Sequence, residues 1–306
     1  MSNVGVAVVG AAGWGKNVVR AFSDAQGASL RGVCDLRPEL LARVARAHPG
    51  VRLTRSFDDL LDDPEIAAVA LAVDAGSHHR LARRALEAGR HVFVEKPLAL
   101  TVADSEELCH VAERSGRTLM VGHLLLYHPA ILLAKRTLDE GELGQVRYMH
   151  SQRLNLGVVR STENAWWSLA PHDISVAMFL LGGAPATVSA TGGCYVQAAT
   201  GIDDVAFATL RWQDGRAAHI HVSWIDTEKR RALTIVGSRG SLSVDGTAPV
   251  AREQEPLRVE CEHFIECVRT GSRPRSDGAQ GVAVVRVLEA GERSMRAGGV
   301  AIAIGG

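Results

Sequence analysis

The stretch GAAGWG, from Gly10 to Gly15, has the residue types and spacing of a turn that binds a dinucleotide. Gly10 would form the tight turn, and Gly15 would let the next helix pack against the preceding strand. Ala12 takes the middle position, with Gly13 beside it. Unpaired N–H groups at the start of that helix favour the pyrophosphate of a dinucleotide. The alternative interpretation is a glycine-rich turn without a cofactor.

Asp35 and Arg37 bear on which dinucleotide would bind. Asp35 ends the second predicted strand, where an acid accepts hydrogen bonds from the ribose hydroxyls of NAD. Arg37 could pair with the 2′-phosphate of NADP or stack on adenine, although Asp35 would repel that phosphate. We therefore expect NAD rather than NADP. The other interpretation of Arg37 is a solvated charge at the start of a helix.

The stretch HVFVEKPLAL, residues 91–100, places Lys96 at the end of a buried strand. Pro97 cannot donate to a strand ladder, so the strand should end before it. The carboxyl ends of parallel strands line the ligand crevice of an open α/β sheet, which would place Lys96 near the nicotinamide. There a lysine can hold a substrate hydroxyl or share in removing its proton. The other interpretation is a surface ion pair between Glu95 and Lys96.

The elements that must position these residues alternate between strands and helices. The strands VGVAVVG, SLRGVCD, AAVALAV, HVFV and TLMVG show no polar alternation, which is typical of strands covered on both faces. Helical stretches separate them with short links. This pattern predicts a parallel, doubly wound sheet that ends near Gly122, and hence a dinucleotide-binding domain of residues 1–122.

Residues 123–306 show a different rhythm, which predicts a second domain. A helix near 129–139 precedes an amphipathic stretch from Pro171 to Leu181. Strand-like runs follow, separated by turn residues: ATVSATGG, DVAFATLRW, AAHIHVSWI, ALTIVG and SLSV. Two helices, PLRVECEHFIECVRTG and GVAVVRVLEAGERSM, close the chain. The sequence therefore predicts an α/β protein whose second domain has a large, mostly antiparallel sheet.

Composition excludes several classes of partner. The 306 residues are 46% hydrophobic and carry a formal net charge of zero, which gives no reason to expect nucleic acid or an anionic membrane as partner. Five scattered cysteines favour a reduced, cytoplasmic protein. No apolar run reaches the roughly 20 residues that span a bilayer. The histidines lack the spacing of a metal site, so we expect no metal.

GAAGWGKN, Asp35 and EKP together resemble the Gfo/Idh/MocA oxidoreductases. VGHLLLYHPA, LDEGELGQV, WWSLAPHDIS and EPLRVECEHFIECV follow in the expected order, so the resemblance covers nearly the whole chain. It implies a Rossmann domain, followed by an α/β domain whose open sheet commonly mediates dimers or tetramers. It also implies reversible oxidation of a sugar or polyol hydroxyl by NAD(P). We therefore expect a homodimer or homotetramer formed through the C-terminal sheet.

The resemblance also assigns catalytic residues. The EKP lysine falls on Lys96, and the catalytic histidine of the second domain falls on His172 within APHD. Many family members carry an aspartate four residues before that histidine, where this chain has Ser168. Asp173 could orient His172 instead. The other interpretation of His172 is a residue near a helix N-terminus without chemistry.

The stretch RLNLGVVRSTENAWWSLAPHD is similar to the subgroup that acts on nucleotide-linked sugars, in particular 3-dehydrogenases of UDP-sugars. Its arginines and asparagines offer donors for a sugar hydroxyl or a phosphate, and Trp166 and Trp167 could cover a ring. The alternative is that the tryptophans belong to the core and the arginines are solvated. The expected substrate-binding residues are His123, Arg153, Asn155, Arg160, Asn164, Trp167 and Asp173.

The expected activity is NAD-dependent oxidation of a sugar hydroxyl, at C3 of a nucleotide sugar. The expected cofactor-binding residues are Gly10, Ala12, Gly13, Trp14, Gly15, Asp35, Arg37, Val73, His78, Glu95 and Lys96. One alternative is a dehydrogenase of a free polyol, an aminocyclitol or a sugar phosphate. A second is a cofactor-binding regulator without catalysis, in which Ser168 marks the loss of activity.

Overall fold

In the computed structural model, six parallel strands form the first sheet, in the order β3-β2-β1-β4-β5-β6. The model describes residues 3–157, 159–196 and 198–305. The strands are β1 (Val4–Val9), β2 (Ala28–Cys34), β3 (Arg52–Thr54), β4 (Ala68–Leu71), β5 (His91–Glu95) and β6 (Leu119–Gly122). The helices between them are α1 (Gly15–Asp24), α2 (Pro38–Ala47), α3 (Asp58–Leu61), α4 (Ala75–Glu87) and α5 (Val102–Ser115), and a 3₁₀ helix (Leu124–Tyr127) follows.

The second sheet has seven strands in the order β12-β11-β7-β10-β9-β8-β13. Its elements begin with α6 (Pro129–Asp139), β7 (Val146–Leu156), α7 (Ala165–Leu181) and β8 (Thr187–Gly193). They continue with β9 (Val205–Arg211), β10 (Ala217–Ser223), β11 (Ile225–Gly237) and β12 (Ser241–Asp245). The chain then forms a short 3₁₀ helix (Arg252–Gln254), α8 (Pro256–Thr270), α9 (Gly278–Arg296) and β13 (Ile302–Ala303).

Local sequence explains most of the first sheet. Every residue of β1 is buried, as expected for a central parallel strand. Helix α1 buries Val18, Val19 and Phe22 on one face, at the predicted spacing. The five predicted strands are present as β1, β2, β4, β5 and β6, in the strand order of a Rossmann fold.

The short strand β3 and helix α3 were not predicted. Strand β3 has three residues, of which only Thr54 is buried. So short a segment shows neither a run nor an alternation of apolar residues, and it is recognised only by its pairing with β2.

The second sheet is mixed, and the predicted α/β fold class is confirmed. Strand β10 runs parallel to β7. The other five strand pairs in the described residues are antiparallel. Helix α7 covers one face of this sheet. The central strands alternate between residues that face α7 and residues on the opposite, open face.

Helix α7 differs from its prediction. The sequence indicated an amphipathic stretch from Pro171 to Leu181, but the helix begins at Ala165 and carries Pro171 in its interior. Nearly all its side chains are buried, because the sheet lies on one side and α9 on another. For example, Trp166 donates from Nε1 to the carbonyl oxygen of Leu288, over 2.9 Å. None of the helices in the described residues is long and apolar enough to cross a membrane.

The chain divides into two compact units, and each contains two segments. Unit 1 comprises residues 1–127 and 251–282, and unit 2 comprises residues 128–250 and 283–306. The sequence had placed everything after residue 122 in the second domain. The structure instead groups α8 with the first sheet, because the ring of Phe264 packs against those of Phe22 and Phe93 at centroid distances of 6.1 and 5.9 Å.

Candidate active site

Two glycines of the turn between β1 and α1, Gly10 and Gly15, leave no room for a larger residue. A Cβ on Gly10 would lie 2.3 Å from the carbonyl oxygen of Ala72, and a Cβ on Gly15 would lie 2.3 Å from that of Gly10. Gly10 also has a φ of +94°, which favours glycine. Helix α1 begins without a side-chain cap. Its first N–H groups therefore suit the pyrophosphate of a dinucleotide, and these residues fit such a cofactor.

Asp35 is anchored at the end of β2 and remains ionised. Its carboxylate accepts hydrogen bonds from the backbone N–H of Ala11 at 2.8 Å and from that of Arg37 at 3.0 Å. The Arg37 side chain adds a bond from Nε at 3.2 Å. Burial by itself raises the pKa of Asp35, but these hydrogen bonds and the charge of Arg37 lower it overall. The predicted pair thus forms one unit, in which Arg37 partly neutralises the acid.

Trp14 and Glu95 connect the glycine turn to β5. Trp14 Nε1 donates to Oε1 of Glu95 over 2.7 Å. The indole is 44% exposed, whereas the carboxyl is buried. Burial raises the pKa of Glu95 to about 7, although the Trp14 hydrogen bond and the charge of Lys96 oppose the shift. A Cβ on Gly122 would lie 3.0 Å from Oε2 of Glu95, so the glycine that ends β6 makes room for this carboxyl.

Glu260 on α8 is a second buried acid in unit 1, and it was not predicted. It is fully buried, and neither carboxyl oxygen has a hydrogen-bond partner in the described part of the chain. Burial raises the pKa of Glu260, and the charge of Glu95 raises it further. Both effects favour the protonated form of Glu260, and burial is the larger of the two. A signal existed in the sequence, because Glu260 falls on the apolar face of α8 that includes Leu257, Cys261 and Phe264.

Two buried histidines lie near Lys96, which directly follows β5. His78 places Nδ1 2.7 Å from the carbonyl oxygen of Pro97, and Nε2 3.3 Å from that of Val73. His123 follows β6, and neither ring nitrogen has a partner among the described residues. Burial, together with the positive charge of Lys96, lowers the pKa of His123 to about 3. Both imidazoles are therefore neutral near pH 7, because burial also lowers the pKa of His78.

His172 lies in the interior of α7 in unit 2, not at a helix N-terminus. Its carbonyl oxygen accepts a hydrogen bond from the hydroxyl of Ser175 at 2.9 Å. The neighbouring Asp173 is committed to Arg153, which donates from Nε to Oδ2 at 2.6 Å and from Nη2 to Oδ1 at 3.3 Å. Both carboxylate oxygens of Asp173 thus accept hydrogen bonds from Arg153. Ser168, where many family members have an aspartate, is buried one helical turn before His172.

Several other predicted substrate residues have structural contacts in unit 2. Asn164 caps α7 by accepting from the backbone N–H of Trp167 at 3.0 Å. Trp167 is buried and donates from Nε1 to Glu292 at 3.1 Å. Arg160 pairs with Glu163, and Asn155 is half-buried on β7. The structure therefore accounts for the two tryptophans of WWSLAPHD by packing.

Comparison with known proteins gives consistent matches in both parts of the chain. Residues 4–123 match the oxidoreductase family with an NAD-binding Rossmann fold. Residues 131–243 match the GFO/IDH/MocA C-terminal domain.

Two curated relatives and one solved structure illustrate the similarity. The UDP-N-acetylglucosamine 3-dehydrogenase of Acidithiobacillus ferrooxidans is 30% identical over 276 residues, which cover 82% of this chain and 85% of that protein. The scyllo-inositol 2-dehydrogenase (NAD(+)) of Bacillus subtilis is 27% identical over 245 residues, which cover 71% of each chain. The WlbA dehydrogenase of Bordetella pertussis, solved with NADH and UDP-GlcNAcA, has a TM-score of 0.87 and 24% identity, with coverage of 99% and 98%.

Proposed function

We propose, since this chain belongs to the Gfo/Idh/MocA family of oxidoreductases, that it oxidises the C3 hydroxyl of a nucleotide sugar, such as a UDP-hexose or UDP-N-acetylhexosamine, to a ketone. The observation that carries this proposal is the position of Lys96. It directly follows β5, at the carboxyl edge of a parallel sheet whose first turn fits a dinucleotide. A lysine there can bind the hydroxyl that loses its hydride.

Lys96 and His172 are the two proposed catalytic residues, with different roles toward the substrate hydroxyl. The ammonium group of Lys96 donates a hydrogen bond to the hydroxyl oxygen and lowers its proton affinity. The imidazole of His172 accepts the proton as the C–H bond breaks. NAD, when bound, supplies the acceptor for the hydride. His123 and His78 add no positive charge beside Lys96 near pH 7, because burial holds both rings neutral.

NAD is the proposed cofactor because of Asp35. Its carboxylate is buried and ionised at the end of β2, and Arg37 already pairs with it. The ribose hydroxyls of NAD can donate to this carboxylate, whereas the 2′-phosphate of NADP would meet its negative charge. Because Arg37 already pairs with Asp35, it has fewer hydrogen-bond donors left for that phosphate.

The nucleotide sugar is favoured by two matches. The relative named UDP-N-acetylglucosamine 3-dehydrogenase has 30% identity over most of both chains. The stretch from Arg153 to Asp173 is also similar to the nucleotide-sugar subgroup. The test is NAD reduction with purified protein and a panel of UDP-sugars, inositols and sugar phosphates. Turnover confined to UDP-sugars supports the proposal, and turnover confined to free polyols contradicts it.

A second copy of this chain is the proposed partner for the open face of the second sheet. Tyr148, Phe207 and His219 lie on that face, and the ring of Phe207 stacks on His221 at 4.1 Å. Phe207 is 52% exposed in the single chain. Aromatic side chains grouped on an exposed sheet face are typical of an interface between subunits.

A further inference from the structure

Arg153 and Arg231 face each other across two strands of unit 2. They are paired residues in the antiparallel ladder of β7 and β11. Ser151 and Leu233 are paired two positions away on the same strands, and both are buried. The alternation of a strand therefore directs both arginines to this same face of the sheet. Directly opposite residues have Cβ atoms about 4.5–5.5 Å apart, and like charges in that arrangement repel each other.

Of these two arginines, only Arg153 forms an ion pair with a carboxylate in the described residues. Asp173 takes two hydrogen bonds from Arg153, and both side chains are largely buried. Arg231 donates instead from Nη1 to the carbonyl oxygens of Leu154 at 2.8 Å and of Arg230 at 3.0 Å. No carboxylate in the described part of the chain forms an ion pair with Arg231. Since carbonyl partners do not neutralise a cation, the group of three keeps one surplus positive charge.

The environment makes this surplus charge costly. Burial lowers the pKa of Arg231, and the charge of Arg153 lowers it further, while Asp173 opposes the shift only in part. A guanidinium nevertheless stays protonated, so the cost persists until an anion approaches. Arg230, the next residue on β11, does not share this position, because it points to the other face and bonds to Gln152 at 3.0 Å.

We propose that Arg231, beside the Arg153–Asp173 pair, binds an anionic group of the substrate, either a carboxylate or a phosphate oxygen. The planar fork of a guanidinium matches both groups with two parallel hydrogen bonds. Asp173 follows His172 directly on α7, so this subsite lies along the helix that carries the proposed base. The inference rests on the proposed function, because it assigns substrate recognition to unit 2.

Steady-state kinetics of the full chain with NAD test the subsite. The substrates are myo-inositol, UDP-N-acetylglucosamine and its C6 carboxylate derivative, and the variants are Arg231→Gln and Arg231→Lys. We expect Arg231→Gln to raise KM about 10- to 100-fold for a UDP-sugar that carries the anionic group bound by Arg231, as expected for a lost charge-assisted hydrogen bond. The value of kcat should change little. Arg231→Lys should recover part of that loss. KM for myo-inositol should not change.

The substrate arms distinguish the two anions. A loss with both UDP-sugars assigns the phosphate, and a loss with the carboxylate derivative alone assigns the carboxylate. Arg230→Gln is the matched control, because it removes a neighbouring arginine from the opposite face. Equal KM in wild type and Arg231→Gln for every substrate, or an equal loss for myo-inositol, would overturn the subsite.

Failure of the subsite can be separated from failure of the proposed function. Turnover that is lost in Lys96→Ala but unaffected by Arg231→Gln leaves the dehydrogenase intact and removes the subsite. If no substrate turns over, thermal unfolding with NAD and UDP-N-acetylglucosamine or its carboxylate derivative gives the answer. Each bound ligand stabilises the folded form, and Arg231→Gln should reduce that shift. The subsite would be overturned if, with both ligands, wild type and Arg231→Gln showed equal shifts in unfolding temperature, or if neither showed a shift.

Discussion

The indole nitrogen of Trp14 donates to the carboxyl of Glu95 over 2.7 Å, although 81 positions separate the two residues in the sequence. Trp14 immediately precedes α1, and Glu95 ends β5. Strand β4 lies between β1 and β5 in the sheet, so the indole spans the carboxyl edge of β4. The hydrogen bond therefore fixes the glycine turn at the edge where open α/β sheets bind their ligands.

Trp14→Phe should weaken NAD binding about tenfold. Phenylalanine retains an aromatic ring but leaves the buried carboxyl without its donor, and an unmade buried hydrogen bond costs about 1–3 kcal/mol. The pKa of Glu95 should rise further, because the Trp14 bond lowers it. Isothermal titration with NAD measures the effect. Glu95→Gln is the matched control, since its amide oxygen still accepts from Trp14. A larger loss in Glu95→Gln than in Trp14→Phe would show that charge, not the hydrogen bond, matters.

Asp35→Asn should shift cofactor preference toward NADP by about tenfold or more, equivalent to about 1.4 kcal/mol. The substitution keeps the shape of the side chain and removes the negative charge that faces a 2′-phosphate. Arg37 then loses its ionic partner and becomes available to that phosphate. Affinities for NAD and NADP in wild type, Asp35→Asn and the double variant Asp35→Asn/Arg37→Gln measure the shift. Tighter NADP than NAD binding in wild type would show that Arg37 dominates.

His123 should make the protein sensitive to acid. Its pKa falls from an ordinary 6.5 to about 3 in the folded state, so below pH 6.5 the unfolded chain binds a proton that the folded chain does not. The free energy of unfolding therefore falls as pH drops from 6.5 toward 3. His123→Leu should remove this loss. Urea unfolding at several pH values between these limits measures it, and an unchanged slope in His123→Leu would contradict the assignment.

Glu95 provides the opposite dependence and serves as a control. Its pKa rises from an ordinary 4.5 to about 7, so between these values the folded chain keeps a proton that the unfolded chain releases. The free energy of unfolding contributed by Glu95 falls as pH rises through this window. Glu95→Gln should flatten this decline. The same slope in wild type and Glu95→Gln would place the titration elsewhere.

Local patterns in the sequence predicted the first sheet because strands covered on both faces are continuously apolar. The same patterns predicted a helix at α8, but not which sheet its Phe264 would cover. The position of Phe264 depends on its contacts with Phe22 and Phe93, which lie far from α8 in sequence. The candidate site divides in the same way.

Motif spacing predicted Lys96, Asp35 and the glycine turn. It did not predict the pairing of Trp14 with Glu95, which lie 81 positions apart. It also did not predict the pairing of Arg153 with Asp173, which depends on how α7 packs against β7. Arg231 carried no local signal. Its position opposite Arg153 is set by the register of β11 against β7, and the described ladder shifts its register between Ile225 and Arg230.

Phe207→Lys should convert an oligomer into a monomer. The substitution places a charge at the centre of the open face of the second sheet, where Phe207 stacks on His221. Burying that charge against a second copy would cost more than the contact contributes. Light scattering at micromolar concentration measures the mass. A stable monomer in the wild-type protein would contradict the proposed interface.

Lys96→Ala gives the most direct test of the proposed function, through steady-state NAD reduction with the preferred sugar. We expect kcat to fall about 10²–10⁴-fold, a typical value for a positioned acid–base group, while NAD affinity changes little. His172→Ala should fall in the same range, and the double variant should lose far less than the product of the single losses if the two act as one unit. Lys135→Ala, a lysine paired with Asp139 on the surface, is the control. Near-normal kcat in Lys96→Ala would contradict the account and reduce Lys96 to a charge at the end of a strand.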